Sequence, residues 1–206
     1  AYDAYVTGNL TRRFSDKVIE KYRTQSDPIL YPDVNWTDLL VSDASYQTQT
    51  NINISGGTER VKYFFSAGYF TQDGLFNTDV YDPGYDYQLK YRRYNLRSNF
   101  DFNINKNLKV SFDLSTQMDD TRGPNWSTSS FMNMLVTVPS TISPGVVDNK
   151  IVMVPTTAQI PASTPMVAFI KGNHKDYANF LNGSIRVNYK MDYLTKGLAV
   201  RAAVSY

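Results

Sequence analysis

The sequence predicts an all-β fold, in which about six antiparallel strands form a segment of a transmembrane β-barrel. Three observations lead to this prediction. Apolar and polar side chains alternate over arms of roughly ten residues, which gives each strand one apolar and one polar face. The arms come in three pairs joined by tight turns, and two much longer polar segments connect the pairs. Long strands with short turns at one end and long loops at the other are typical of transmembrane barrels.

The first predicted hairpin covers residues 46–70. On its outgoing arm the polar and less polar positions alternate strictly: Gln47, Gln49, Asn51, Asn53 and Ser55 against Thr48, Thr50, Ile52 and Ile54. The Gly56-Gly57 pair permits a tight reversal. The return arm places an apolar set on one face: Val61, Tyr63, Phe65, Ala67 and Tyr69.

Two further hairpins, at residues 91–118 and 180–206, repeat this design with turns at 105–107 and 194–197. Their polar faces carry several charges: Arg97, Asp101, Lys109, Asp113, Arg186, Lys190, Asp192 and Arg201. If the tight turns face the periplasm, the long connections lie outside the cell. Tyrosines then lie near the ends of the apolar band, at positions Tyr46, Tyr69, Tyr94 and Tyr206. A soluble β-sandwich is the alternative fold, because its outer face is also solvated.

The remaining chain is predicted to form loops. Residues 1–45 are interpreted as an extracellular loop region with short helical turns near 15–22 and 35–40. Residues 119–177 are interpreted as a long extracellular loop that contains a helix at 127–138, capped by Ser127 and ended by Pro139. Because the alternation is still running at Tyr206, we expect further strands beyond it.

The composition argues against several classes of function. The 206 residues carry a formal net charge of only +2 without a Lys/Arg run, which does not favour a nucleic-acid partner. With no cysteine and one histidine, His174, neither a metal site nor a cofactor is expected. His174 is interpreted as an exposed loop residue. Asp101 and Asp113 are not interpreted as a glycosidase pair, since Arg97 and Lys109 would keep both ionised, so no catalytic residue is assigned.

One cluster of polar and aromatic residues is predicted as a substrate-binding site at the start of the longest loop. Its members are Asp119, Asp120, Arg122, Asn125 and Trp126. Aromatic faces flanked by carboxylates and amides are a common way to hold sugars or peptides. The alternative interpretation is a solvated loop with a single anchoring tryptophan.

Three motifs resemble one protein family. Residues 31–36 read Tyr-Pro-Asp-Val-Asn-Trp, residues 55–63 read Ser-Gly-Gly-Thr-Glu-Arg-Val-Lys-Tyr, and residues 68–74 read Gly-Tyr-Phe-Thr-Gln-Asp-Gly. In this order they resemble the SusC/RagA family of TonB-dependent outer-membrane transporters. The resemblance is most specific over residues 31–74. The later hairpins resemble the family only in their length and in their tight turns.

This resemblance implies a role in the bacterial cell outer membrane: uptake of an oligosaccharide or peptide, with a SusD-like surface lipoprotein and the TonB complex as partners. The plug and the TonB-contacting box of the family have no counterpart in these residues, and six strands are about a quarter of a 22-stranded wall. The alternative function is a secreted, soluble β-sandwich that binds carbohydrate. A glycoside hydrolase is a third, weaker hypothesis.

Overall fold

The computed structural model describes residues 14–153 and 164–206, which form two compact units. The strand unit comprises residues 44–74, 88–123 and 174–206. The loop unit comprises residues 14–43, 75–87, 124–153 and 164–173.

The strand unit is built from one six-stranded sheet, which confirms the predicted all-β antiparallel class. Its strands are β1 (Gln47–Gly57), β2 (Val61–Asp73), β3 (Lys90–Asn103), β4 (Leu108–Pro124), β7 (Asn173–Lys190) and β8 (Ala199–Ser205). Their spatial order is β1-β2-β3-β4-β7-β8, so the strands of this sheet follow one another in chain order. The sheet is open, with β1 and β8 at its edges.

Short turns set the register of the hairpins. In the first, the Thr58 backbone N–H donates to the Val61 carbonyl at 2.6 Å. Gly57 has φ 153°, and a Cβ there would collide with the Val61 carbonyl oxygen, so this position requires glycine. In the second, the Asn105 side chain accepts from the N–H groups of Asn107 and Leu108, at 2.8 and 2.9 Å.

The strands run further than the apolar alternation predicted. β4 continues through Pro124 and β7 begins at Asn173, so both ends of the predicted loop at 119–177 are strand. His174 accordingly lies in β7, half-buried, and not in an exposed loop. The physical reason is that polar residues occupy both faces here, while the register continues unbroken to the pair Lys90 and Arg122. Periodicity of hydrophobicity cannot report a strand whose two faces are both polar.

The loop unit contains four helices and a two-stranded ribbon among its described residues. The helices are α1 (Asp16–Thr24), α2 (Trp36–Leu40), α3 (Thr128–Thr137) and α4 (Val167–Ile170); the ribbon is β5 (Val146–Val147) with β6 (Lys150–Ile151). The predicted helix at 127–138 is confirmed, and the Ser127 side chain accepts from the Ser130 N–H at 3.4 Å. Ser15 lies at the N-cap of α1 without a side-chain capping bond. α4 was not predicted.

An aromatic core holds the loop unit together. Phe169, which is fully buried, packs on Tyr87, Phe131 and Phe76 with ring centroids 4.6, 5.6 and 5.6 Å apart. Phe76 and Phe131 meet edge to face at 4.9 Å. These rings come from two separate segments, 75–87 and 124–173, so segments expected to be loops form a packed body of their own.

The buried phenol of Tyr87 should make this unit less stable at alkaline pH. Burial, assisted by the charges of Asp79 and Asp82, raises the pKa of the Tyr87 phenol from 10.0 to about 12. The folded state therefore keeps this proton after the unfolded chain has lost it, and the stability from this group, complete below pH 10, falls as the pH rises towards 12.

The Tyr87→Phe variant should lose roughly 1 kcal/mol at neutral pH, because the hydroxyl no longer donates to the Tyr81 carbonyl at 2.9 Å. It should also show a smaller decline in stability between pH 10 and 12 than the native chain. Hydrogen exchange of α3 and α4 amides, referenced to model-peptide rates at each pH, measures both effects. Parallel declines in the two proteins would contradict the assignment to Tyr87.

Candidate functional site

The apolar face of the sheet is exposed in the strand unit. Ile52 is 60% exposed, Leu96 47% and Val204 75%. Other large apolar side chains of the same face are also exposed: Ile54, Tyr63, Phe65, Tyr94, Leu114, Met118, Leu181, Ile185 and Val200. An apolar surface of this extent marks a contact with another apolar phase or partner.

Aromatic residues organise this face. Phe65 of β2 meets Phe100 of β3 edge to face at 5.3 Å, near the tight turns. At the other end Tyr69 and Tyr94 are cross-strand partners with ring centroids 5.1 Å apart. The apolar band thus runs from Val61 to a tyrosine pair, as predicted for Tyr69 and Tyr94.

The opposite face carries paired charges. Asp113 of β4 accepts from the Arg186 guanidinium and, at 3.2 Å, from the Ser184 hydroxyl, both on β7. Asp101 of β3 accepts from Lys109 at 3.0 Å and from Ser111 at 2.6 Å. Each of these two carboxylates has a cationic partner on the neighbouring strand.

A third paired group lies nearer the long connections. The Arg93 guanidinium donates to Asp119 at 2.9 Å, and the Gln117 amide donates to the same carboxylate at 2.9 Å. Arg93 also lies 5.3 Å from the centre of the Tyr91 ring, and Tyr91 contacts Phe70. The group combines a carboxylate, an amide, a guanidinium and two aromatic rings on one surface.

An open depression of about 520 Å³ lies next to this group on the strand unit. Its polar and aromatic lining comes from β3, β4 and β7: Asn95, Arg97, Ser115, Gln117, Phe180 and Asn182. Phe180 is 54% exposed and occupies a position in register with polar residues. Sequence analysis did not select it, although its break in the polar alternation of β7 was a usable signal.

The structure divides the predicted substrate-binding residues. Asp119 belongs to the polar face, whereas Asp120 and Arg122, which pair at 2.8 Å, point to the opposite face of β4. Asn125 and Trp126 belong to the loop unit, where the Asn125 N–H donates to the Gly172 carbonyl at 2.9 Å. The Lys171 ammonium lies 5.8 Å from the Trp126 ring centre. Asp119 therefore does not share a face of β4 with Asp120 and Arg122.

Across residues 14–153 and 164–206, no three His, Asp or Glu side chains gather in a way that could hold an ion. No helix within these ranges is long and apolar enough to cross a membrane.

Comparison with known proteins gives two similarities. No protein-family model matches the chain. The chain is 32% identical over 87 residues to the TonB-dependent receptor P26 of Formosa agariphila, which is 42% of this chain and 8% of that receptor. Its fold is similar to a chain in the structure of the RagAB peptide transporter, with a TM-score of 0.59 and 21% identity over 99% of this chain and 22% of the other.

The sequence match is to the class of TonB-dependent receptors, and the structural match shows a shared fold. Within this class they support the family that the motifs predicted, the SusC/RagA family of TonB-dependent transporters. The chain spans less than a tenth of the matched receptor and about a fifth of the matched transporter chain.

Proposed function

We propose that this chain forms part of the wall of an outer-membrane transport barrel, with its apolar face towards lipid and its polar face towards a water-filled passage. The single observation that carries the proposal is the sheet of the strand unit, apolar and exposed on one side and charged on the other. Because every strand but those at the edges is paired on both sides, its backbone is suited to an environment without water.

The dimensions of the apolar band agree with this role. A run of about nine residues, as from Val61 to Tyr69, extends roughly 30 Å along the strand. Tilted by about 40°, such a run rises by a little under 25 Å, close to the apolar height of outer-membrane barrels. The Tyr69–Tyr94 pair then lies at the interface, where amphipathic rings are favoured.

The alternative, a secreted β-sandwich, requires a second sheet against the apolar face. In the described part of the strand unit the apolar side chains are exposed and no second sheet lies in the same unit. The observation therefore favours a lipid-facing wall over a sandwich.

Behaviour in detergent tests the proposal directly. The intact protein should fractionate with outer membranes, require detergent for extraction, and migrate differently in gels before and after heating, as folded barrels do. A monomer that stays soluble without detergent and melts cooperatively would overturn it. A protein that releases reducing sugar from a glycan would instead support the hydrolase hypothesis.

For the cargo, the depression beside Phe180 supports binding of an oligosaccharide or a peptide. Both ligands present hydrogen-bonding groups with apolar faces, which match an exposed ring among amides and a guanidinium. The similar RagAB structure is that of a peptide transporter, which adds weight to a peptide. No covalent chemistry is proposed, and a SusD-like lipoprotein and TonB are proposed as partners of the whole protein.

From the predicted site, Asp119 remains in this proposal as part of the polar face, and Asn125 and Trp126 remain as candidate contacts of the loop unit. Asp120 and Arg122 would contact substrate only on the other side of the wall, because they point away from Asp119.

Phe180→Ala and Leu181→Ala form a matched pair for testing the cargo site. The two residues are adjacent, 54% and 56% exposed, and point to opposite faces of β7. In cells that express the intact protein, Phe180→Ala should reduce uptake from a defined mixture of oligosaccharides or of short peptides by roughly tenfold, the loss expected for one aromatic contact. Leu181→Ala should leave uptake unchanged, and mass spectrometry of the depleted medium identifies which mixture is used. Equal losses in both variants would contradict a cargo site on the polar face.

A further inference from the structure

The apolar face of the strand unit changes character abruptly beyond the tyrosine pair. One step past Tyr94 and Met118, the cross-strand partners on the same face are Arg92 and Asp120; one step further they are Lys90 and Arg122. Within two rungs of the ladder, the face turns from aromatic and aliphatic to strongly charged.

These charges form a compact group on three strands. The Arg122 guanidinium donates to Asp120 twice, from Nε at 3.1 Å and from Nη2 at 2.8 Å. The Asp120 carboxylate also interacts electrostatically with Arg92 and with Lys175 of β7. We name the four basic side chains, Lys90, Arg92, Arg122 and Lys175, the basic belt.

At the register positions of the basic belt, basic side chains outnumber acidic ones. Two carboxylates lie in register with it, Asp120 and Asp73, against four cations. The polar face at the same height differs, because there Arg93 and Asp119 pair one to one. At this height, the side of the sheet that carries the apolar band therefore presents more basic than acidic side chains in register.

If the apolar band meets hydrocarbon, which is the proposed function, then the basic belt lies at the level of the lipid headgroups. From these placements we propose that the basic belt binds the phosphate of an anionic lipid headgroup in the leaflet at this end of the strands. Guanidinium groups recognise phosphate through paired hydrogen bonds, and cations next to an apolar surface are attracted to anionic lipid. The acyl chains of the same molecule would lie along the band below Tyr94 and Met118.

This lipid site differs from the cargo site in position and in chemistry. The cargo site uses Phe180, Arg97 and amides on the polar face, whereas the basic belt lies on the apolar side. Asp120 and Arg122, which point away from Asp119, belong to this second surface, where the carboxylate competes with a phosphate for the guanidinium.

A lipid competition on the intact, detergent-purified protein tests the proposal. The probe is an equimolar mixture of phosphatidylglycerol and phosphatidylcholine with identical acyl chains, and native mass spectrometry counts the molecules of each that remain bound. Phosphatidylglycerol should be preferred by the native protein by roughly tenfold or more at low salt, and the preference should shrink as ionic strength rises.

Two variants change the preference in opposite directions. Arg92→Gln with Lys175→Gln removes two cations but leaves the pair of Arg122 and Asp120 intact, and should reduce the preference about tenfold. Asp120→Asn removes the competing carboxylate and should strengthen it. The matched control, Lys106→Gln with Lys196→Gln, makes the same charge change in the tight turns at the other end of the strands and should have no effect.

The outcomes separate this proposal from the proposed function. If the protein inserts into outer membranes but the variants and the control retain equal phosphatidylglycerol, the lipid site is overturned and the barrel wall stands. Binding of inorganic phosphate alone, with no preference between the two lipids, overturns it as well. If the protein does not enter membranes at all, both proposals fail.

Discussion

Leu114→Arg is expected to prevent or strongly impair insertion of the strand unit into a bilayer. Leu114 occupies the middle of the apolar side of β4, between Val110 and Met118, and is 38% exposed. Gly183 on β7 leaves its side chain without a bulky neighbour there, since a Cβ at Gly183 would still be 3.8 Å from the leucine. A guanidinium at the midplane of a bilayer costs about 2–4 kcal/mol on a barrel surface.

Ser115→Arg is the matched control for this substitution. Ser115 is the next residue, points to the polar face and lines the open depressions there, so an arginine can extend into water. The free energy of unfolding in phospholipid, from denaturant titration, should fall by about 2–4 kcal/mol for Leu114→Arg and by well under 1 kcal/mol for Ser115→Arg. If the two variants lose the same stability, or if the order is reversed, the apolar face does not meet lipid.

Phe169→Ala is expected to unfold the loop unit. The side chain is fully buried and touches Phe76, Tyr87 and Phe131, so truncation removes its contact with each of these three rings. Replacing a buried phenylalanine by alanine typically costs about 3–5 kcal/mol, because a cavity adds to the lost transfer energy. This loss is a large fraction of the roughly 5–15 kcal/mol by which folded domains are stable.

Hydrogen exchange measures the effect where it occurs. In Phe169→Ala, amides of α3 and α4 should exchange rapidly, while β2, β3 and β4 should keep their protection. Ile170→Ala, a change in the neighbouring residue, which is 44% exposed, should leave both sets protected. Unchanged protection of α3 in the Phe169 variant would contradict the role of the aromatic core.

Prediction from sequence succeeded where a single physical pattern was repeated. Alternation over Val61 to Tyr69 and over Leu108 to Met118 requires a strand with two different faces, and the structure confirms both. Ser127 before an apolar helical stripe and Pro139 after it were sufficient to predict α3. The motifs at residues 31–74 indicated the family that the matched receptor and transporter support.

Prediction was less successful where the relevant partner is distant in the chain. The face of β4 on which Asp119 or Asp120 lies was knowable only if residues 119–124 were recognised as strand, and their uniform polarity concealed this. The aromatic core joins residues far apart in sequence: Phe76, Tyr87, Phe131 and Phe169. The local sequence around each of them does not predict which other rings it contacts.

The sequence by itself determined which side chains share a face, because strand geometry converts every second residue into a neighbour. It thereby determined that the chain has an apolar surface, a charged surface and tight turns at one end. Only the tertiary structure decided which charges meet, such as Asp113 with Arg186, and which loop segments share a core. Those contacts depend on strand register and on long-range closure of the chain, and neither is encoded by the periodicity of any single segment.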